Sequence, residues 1–196
     1  MSEPVFRLAR PGEGLAIVDF INAHFDMRLP LINRPELYDF YFAGQAGGAP
    51  HFAVAEQAGR YLSAAGYIPA ARGPGADAWV SIWVAAKGHN GVGLQLMDAL
   101  PGLLGARVLA CNNIRANTCV LYEFLGWTAE RLPHYYRLGR PGPSGWALAM
   151  PGDAAETAPL PVGGDLALEP VADETALAAL GLPETPHTPR KDLWYL

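Results

Sequence analysis

Ala78-Trp79-Val80-Ser81-Ile82-Trp83-Val84-Ala85-Ala86, then Lys87-Gly88-His89-Asn90-Gly91-Val92-Gly93, then Leu94-Gln95-Leu96-Met97-Asp98-Ala99-Leu100: these three consecutive stretches decide the fold. The first is dense in β-branched and aromatic residues, and its alternation predicts a central strand with Trp79, Ser81, Trp83 and Ala85 on one face and Val80, Ile82 and Val84 on the other. The third sets Leu94, Met97 and Leu100 on one stripe of a helix, with Gln95 and Asp98 outside it, until Pro101 and Gly102 end or kink it. Between them lies a glycine-rich strand-to-helix loop. Glycines let consecutive backbone N–H groups converge, and a helix N-terminus adds partial positive charge, so this unit can hold a pyrophosphate without a basic patch. A tight turn is the other reading of the same glycines. A P-loop is excluded, because it needs Gly-Lys-Ser/Thr at its end. A dinucleotide fingerprint is excluded too: it needs a third glycine and an acidic residue about 20 positions on, where this chain has Cys111 and Asn112.

Working towards the N-terminus, Gly73-Pro74-Gly75 makes a turn, and the runs His51–Glu56 and Arg60–Ala70, joined by Gln57-Ala58-Gly59, read as a hairpin with a three-residue connection. Glu36–Phe42 reads as a short helix behind the breaks at Pro30 and Pro35. Glu13–Phe25 carries Ile17, Ile21 and Phe25 at helical spacing, and Val5–Arg10 reads as a strand with Phe6 and Leu8 on its buried face. Towards the C-terminus, Arg107–Cys111 predicts a short strand, Ala116–Leu125 a helix closed by Gly126, and Trp127–Leu138 a last strand. The order is β, α, α, β, β, β, loop, α, β, α, β: an α/β chain with a mixed sheet, in which an antiparallel meander leads into a β-loop-α-β unit. Residues 1–140 form the expected domain and 141–164 a Pro/Gly-rich linker. Residues 165–196 form a separate C-terminal segment.

The composition bounds the class. In 196 residues, 51% are hydrophobic and 17% charged, enough apolar material for a core. Lys plus Arg number 14 against 19 Asp plus Glu, and no basic run occurs, which argues against nucleic acid or anionic membrane as partner. Two cysteines, Cys111 and Cys119, are too few for a disulfide framework. Five scattered histidines give no ligand spacing, so no metal is expected. The N-terminus has no apolar signal region, and no stretch approaches the roughly 18 to 20 apolar residues of a membrane span, so a cytoplasmic location is expected.

A second stretch, Leu121-Tyr122-Glu123-Phe124-Leu125-Gly126-Trp127, completes a motif order. A strand, a Gly-x-Gly loop opening a helix, a short strand, a helix ending in LYEFLGW and a final strand together resemble the GNAT superfamily of acyl-CoA N-acyltransferases, over roughly residues 5 to 140. Members carry a Gln/Arg-x-x-Gly-x-Gly/Ala loop for the coenzyme A pyrophosphate, and a Tyr in a Tyr-x-x-x-Gly-Phe segment near the thioester sulfur. By that resemblance Gly91 and Gly93 are the loop glycines, Lys87, Gly88, His89, Asn90 and Val92 complete the cofactor-binding loop, and Tyr122 is the tyrosine. Gly88 stands where the family usually has Gln or Arg, with Lys87 adjacent. Trp127 replaces the usual Phe, and Arg115, flanked by Asn113 and Asn117, stands where many members have Asn. The runs IWVAAKGHNGVGLQLM and LGWTAERLPHYYRL resemble a bacterial subgroup associated with surface-polysaccharide and nucleotide-sugar biosynthesis, and PRKDLWYL resembles the opening of a second domain in longer relatives.

The resemblance implies transfer of an acetyl group from acetyl-CoA, as co-substrate, to an amine: an amino sugar or its nucleotide-linked form. Such a transfer needs a deprotonated amine, donors for the tetrahedral oxyanion and an acid for the departing thiolate. Tyr122, with an ordinary pKa of about 10, suits the last role against a thiolate whose conjugate acid is about 8.5 to 10; a core aromatic is its structural reading. Backbone near Val84 would serve the oxyanion and the pantetheine if its strand splays from the next. His24, Asp26, Glu56, His134 and Tyr135 stand as candidate bases, with His134 foremost because alternate residues of a final strand can face a cleft. Neither cysteine has a neighbouring histidine, which argues against a cysteine nucleophile. The rival reading is a non-catalytic acyl-CoA-binding module serving a neighbouring domain; the sequence leaves the oligomeric state open, with a homodimer as one candidate.

Overall fold

Phe6 and Leu8 alternate with Arg7 along β1 (Val5–Leu8), and the alternation sends the two apolar side chains to one face of the sheet. The computed structural model describes residues 3–44, 48–112, 114–131, 169–182, 187–192 and 195. By contacts the chain divides into Met1–Ala129 with Asp173–Leu196, and Glu130–Ala172; every element named below belongs to the first unit. After β1 come α1 (Gly14–His24), with Ile17 and Ile21 fully buried, then α2 (Pro30–Asn33) and α3 (Pro35–Tyr41). Both short helices open on a proline, whose fixed φ and missing N–H suit a first turn. Pro30, expected to break structure, therefore starts some.

A hairpin follows, β2 (Phe52–Gln57) and β3 (Arg60–Pro69), then β4 (Ala78–Ala85), α4 (Asn90–Leu104), β5 (Leu109–Cys111), α5 (Ala116–Phe124) and α6 (Glu174–Ala179). Gln57 pairs with Arg60, so the hairpin connection is the two residues Ala58 and Gly59, at φ 49° and 76°, and not the three expected. Positive φ at both positions matches the turn twist to the strands. The sheet order is β1-β2-β3-β4-β5; the first four strands are antiparallel, and β5 runs parallel to β4. β4 is thus next to the edge of the described sheet. The expected last strand fares differently: Trp127–Arg131 are not strand, and its remainder lies outside the described residues.

One core lies on each face. Ile17, Ile21, Phe42, Phe52, Val54, Ile82 and Val84 cluster beneath α1 to α3, and Ala53, Ala65, Val80, Leu96, Met97, Leu100 and Tyr122 beneath α4 and α5. Val80 and Ile82 are on opposite faces, which corrects the strict alternation expected of β4. The cause is a bulge. Gly66 pairs with Ile82 and Tyr67 with Val80, so Ser81 is an extra residue without a partner and the facing of the strand changes there. On α4 the buried stripe is Gly93, Leu96, Met97 and Leu100, with Leu96 in the place expected for Leu94; the helix runs through Pro101 and closes at Gly105, φ 63°.

The C-terminal residues dock on the β3–β4 connection. Asp192 donates its backbone N–H to the Ala70 carbonyl and accepts from the Arg72 N–H at 2.9 Å, while Arg190 N–H donates to Asp77 Oδ2 at 3.0 Å. Asp77 is buried, and its other oxygen accepts from Val108 N–H at 3.2 Å, just ahead of β5.

Candidate active site

β4 and β5 begin together and part. Their parallel pairing consists of Ala78 with Leu109, Trp79 with Ala110 and Val80 with Cys111, and it stops there, although β4 continues for five more residues to Ala85. Among the described residues nothing pairs with the outer edge of β4 beyond Val80. The result is a wedge with its apex at Val80 and Cys111, opening towards the loop at the end of β4. The bulge at Ser81 sits beside the apex, where the added twist turns the strand out of line with β5.

Which backbone groups face the wedge follows from the ladder on the other side. Ala86 N–H donates to the Leu62 carbonyl, so in an antiparallel pair the amides and carbonyls of Val84 and Ile82 also point at β3, and those of Trp83 and Ala85 point outward. The Val84 carbonyl additionally accepts from Ser63 Oγ at 2.8 Å. Trp83 and Ala85, not Val84, therefore present the unpaired donors and acceptors.

The loop at the mouth of the wedge is built by its glycines. Gly88 stands at φ +85°, a conformation that a side chain strains, and this accounts locally for glycine at this position. His89 N–H donates to Ala86, and the His89 carbonyl accepts from Val92 and Gly93 at 3.0 and 3.2 Å. That leaves the amides of Gly88, Asn90 and Gly91 without a hydrogen bond among the described residues, and no side chain caps α4. A Cβ at Gly91 would meet nothing within 4 Å, so the space before these amides is open. Lys87, His89 and Asn90 are exposed around it. Three free amides at a helix N-terminus fit a pyrophosphate, and the outward edge of Trp83 and Ala85 fits an amide-bearing chain running from that loop to the apex.

Tyr122, only 4% exposed, reaches the apex from α5. Its ring lies against Trp83 of β4 at 5.9 Å and Trp127 at 5.2 Å between centroids, and its hydroxyl donates to Cys111 Sγ at 3.4 Å. α5 closes with Gly126 at φ 80° and a Trp127 N–H bond to the Tyr122 carbonyl, which holds the motif in place. Burial, with the Cys111 contact, pushes the Tyr122 pKa far above the ordinary phenol range, and burial also raises the Cys111 thiol. Both are neutral at physiological pH.

The candidate bases scatter. Glu56 is bound to Arg7, which also forms a two-armed pair with Glu13 at 2.7 Å for each arm. Asp26 pairs at 3.8 Å with Arg115, both exposed, across from the start of α5. His24 rests on the ring of Phe20 at 4.7 Å. His134 and Tyr135 lie outside the described residues. Among the described residues no group of three or more His, Cys, Asp or Glu is arranged to hold a metal ion, and no helix is long and apolar enough to cross a membrane.

These features define the class of fold: a mixed sheet with a glycine loop opening α4 and β5 parting from β4, the fold shared with solved structures of acetyltransferases. Among solved structures, the aminoglycoside N-acetyltransferase AAC(6')-Iy, in complex with a bisubstrate analogue of coenzyme A, matches 70% of this chain and 100% of its own, at 15% identity and TM-score 0.50. An aminoglycoside acetyltransferase from an uncultured soil metagenomic sample matches 71% of this chain and 100% of its own, at 17% identity and TM-score 0.49. No family model matches the sequence, and no curated protein does.

Proposed function

We propose that the chain is an N-acetyltransferase that moves an acetyl group from acetyl-CoA to the amine of an amino sugar, free or nucleotide-linked. The observation that carries this reading is the wedge: an unpaired strand edge at Trp83 and Ala85 that leads from the amides of Gly88, Asn90 and Gly91 to the hydroxyl of Tyr122. The pyrophosphate rests on those amides and the pantetheine pairs with β4, which brings the thioester to the apex. The amine attacks the thioester carbon, an outward N–H of β4 supports the oxyanion, the carbon–sulfur bond breaks, and Tyr122 delivers its proton to the departing thiolate. His134 is the proposed base on the strength of the sequence alone. The acceptor assignment rests on the resemblance of the IWVAAKGHNGVGLQLM and LGWTAERLPHYYRL runs. The solved structures add only that one protein of this fold is, by name, an aminoglycoside N-acetyltransferase.

One observation favours the rival, an acyl-CoA-binding module without chemistry: the Tyr122 hydroxyl is already engaged by Cys111, and its raised pKa makes it a weaker acid. Calorimetry with acetyl-CoA, followed by thiol release over a panel of amino sugars, diamines and peptides, separates the two. Binding with acceptor-dependent thiol release supports the enzyme, binding without release on any amine supports the module, and absence of binding removes both.

A further inference from the structure

At the sheet end away from the mouth of the wedge, where β1 and β3 finish and β2 and β4 begin, the protein has a partly open cavity of about 630 Å³. Ala78 on its wall lies two residues before Val80 at the wedge's apex and about 23 Å along β4 from Ala85 at its mouth, so the cavity lies behind the closed end of the wedge and not at the loop where the pyrophosphate is proposed to rest. The volume is that of a site for a small ligand. Its wall is built: the β3–β4 connection is held by Asp192 through Ala70 and Arg72, and Leu103 and Leu104 close the side towards α4.

Two polar rings face each other there. His51 and Tyr67 lie 5.5 Å apart between centroids, and both line the cavity. Tyr67 is more than nine-tenths buried, at 8% exposure, yet its hydroxyl has no hydrogen-bond partner among the described residues. The hydroxyl is not among the buried orphaned polar atoms, so it opens onto the space of the cavity, where a ligand can reach it. His51 Nδ1 lies 3.4 Å from the Tyr41 carbonyl, the contact that makes Nδ1 the donor and leaves Nε2 as an acceptor beside Gly44, also on the wall. Burial lowers the His51 pKa and raises that of Tyr67, so both are uncharged at neutral pH. Phe40 exposes its ring beside the cavity, and the Asp39 carboxylate disfavours an anion.

We propose that this cavity is a second ligand site, separate from the acyl-transfer wedge, for an uncharged aromatic compound that carries an amide or hydroxyl. The polar group of the ligand satisfies Tyr67 Oη and His51 Nε2 together, and its ring packs on Phe40 and Leu104. The test is a titration of the isotope-labelled full chain, followed by NMR, with nicotinamide, benzamide and benzyl alcohol as probes and nicotinate as the charged control. At least one neutral probe should shift the amides of His51, Tyr67 and Leu103 saturably, leave the Lys87–Gly93 amides in place, and bind more tightly than nicotinate. Tyr67→Phe removes no hydrogen bond of the fold and should weaken binding about five-fold, the usual worth of one such bond. No saturable shift with any neutral probe up to tens of millimolar overturns the proposal. So does equal affinity in a folded Tyr67→Phe protein, or a response confined to the Lys87–Gly93 loop.

Discussion

Replacing Gly91 and Gly93 one at a time should split ligand binding from folding, because the two glycines, two residues apart, have opposite surroundings. A Cβ at Gly91 meets nothing within 4 Å, whereas one at Gly93 would lie 2.9 Å from Ala85 Cβ and 3.3 Å from Trp83 Nε1. Gly91→Ala therefore gains helix propensity without a clash, worth about 0.5–1 kcal/mol of added stability. Gly93→Ala gains the same amount but forces α4 off β4, an overpacking cost of about 1–3 kcal/mol, so its balance runs from about neutral to a loss of about 2.5 kcal/mol. If the amides of Gly88, Asn90 and Gly91 hold the pyrophosphate, the methyl group at Gly91 stands where the phosphate must approach. Losing one or two charge-assisted bonds, at about 1.5–3 kcal/mol each, lowers acetyl-CoA affinity tenfold to a hundredfold or more, and Gly91→Val should abolish it. Urea denaturation without ligand and calorimetry with acetyl-CoA read the two quantities separately. The expected result for Gly91→Ala is equal or higher stability with weak binding, a combination that no general damage to the fold produces. Parental affinity in a folded Gly91→Val protein would refute the cradle.

Tyr122→Phe should leave acetyl-CoA affinity within a few fold and lower turnover on a true acceptor by about 10²-fold, the scale of a lost general acid; equal turnover returns Tyr122 to a packing role. Glu13, held down to a pKa of about 2 by Arg7 from an ordinary 4.5, contributes stability that is present above pH 4.5 and is lost as the pH falls from about 4.5 towards about 2. Urea midpoints of the parent and Glu13→Gln should therefore differ at pH 7 and converge near pH 2, and a gap that persists unchanged at low pH contradicts the pairing. Asp77→Ala removes the acceptor of two backbone N–H groups, Val108 and Arg190, and should lower stability by about 2 kcal/mol or more and open residues 187–192 to protease. Proteolysis at the parental rate would show that the tail is held by something else.

Much of this was legible because local chemistry and tertiary packing agree. The spacing of Ile17 and Ile21, the alternation of Phe6 and Leu8 around Arg7, and Gly126 after LYEFL each specify an element without help from distant residues. The bulge at Ser81 was not legible in β4 itself, since the strand reads as an unbroken alternation. Its trace lies in the partner strand: Gly66 stands where a Cβ would meet Phe52 Cε1 at 2.8 Å and Phe42 Cε1 at 3.1 Å, and a glycine inside a strand marks a close approach or a bulge. Reading β4 without the bulge also directs attention to Val84, whereas the ladder phase set by Ala86 and Leu62 gives the open edge to Trp83 and Ala85. The Asp77 ties join residues 31 and 113 positions apart, a separation at which no local pattern carries a signal.

A wedge works only if its apex holds. Three rungs of parallel pairing are a weak junction for strands that must then separate. At the closed end, buried Asp77 binds the approach to β5 through Val108. At the apex, Tyr122 packs its ring on Trp83 of β4 and gives its hydroxyl to Cys111 of β5, so one side chain touches both strands at the point where they part. The ring contact survives Tyr122→Phe and the hydroxyl contact does not. The ring positions the apex and the hydroxyl is the exchangeable partner: in the free protein Cys111 accepts its hydrogen bond, and in the proposed reaction a second sulfur, that of the thioester, takes the thiol's place. The same replacement explains why binding and turnover should separate in that variant, since the loop and the strand edge proposed to hold acetyl-CoA lie on β4 and α4, and the hydroxyl proposed to serve the leaving group lies on α5.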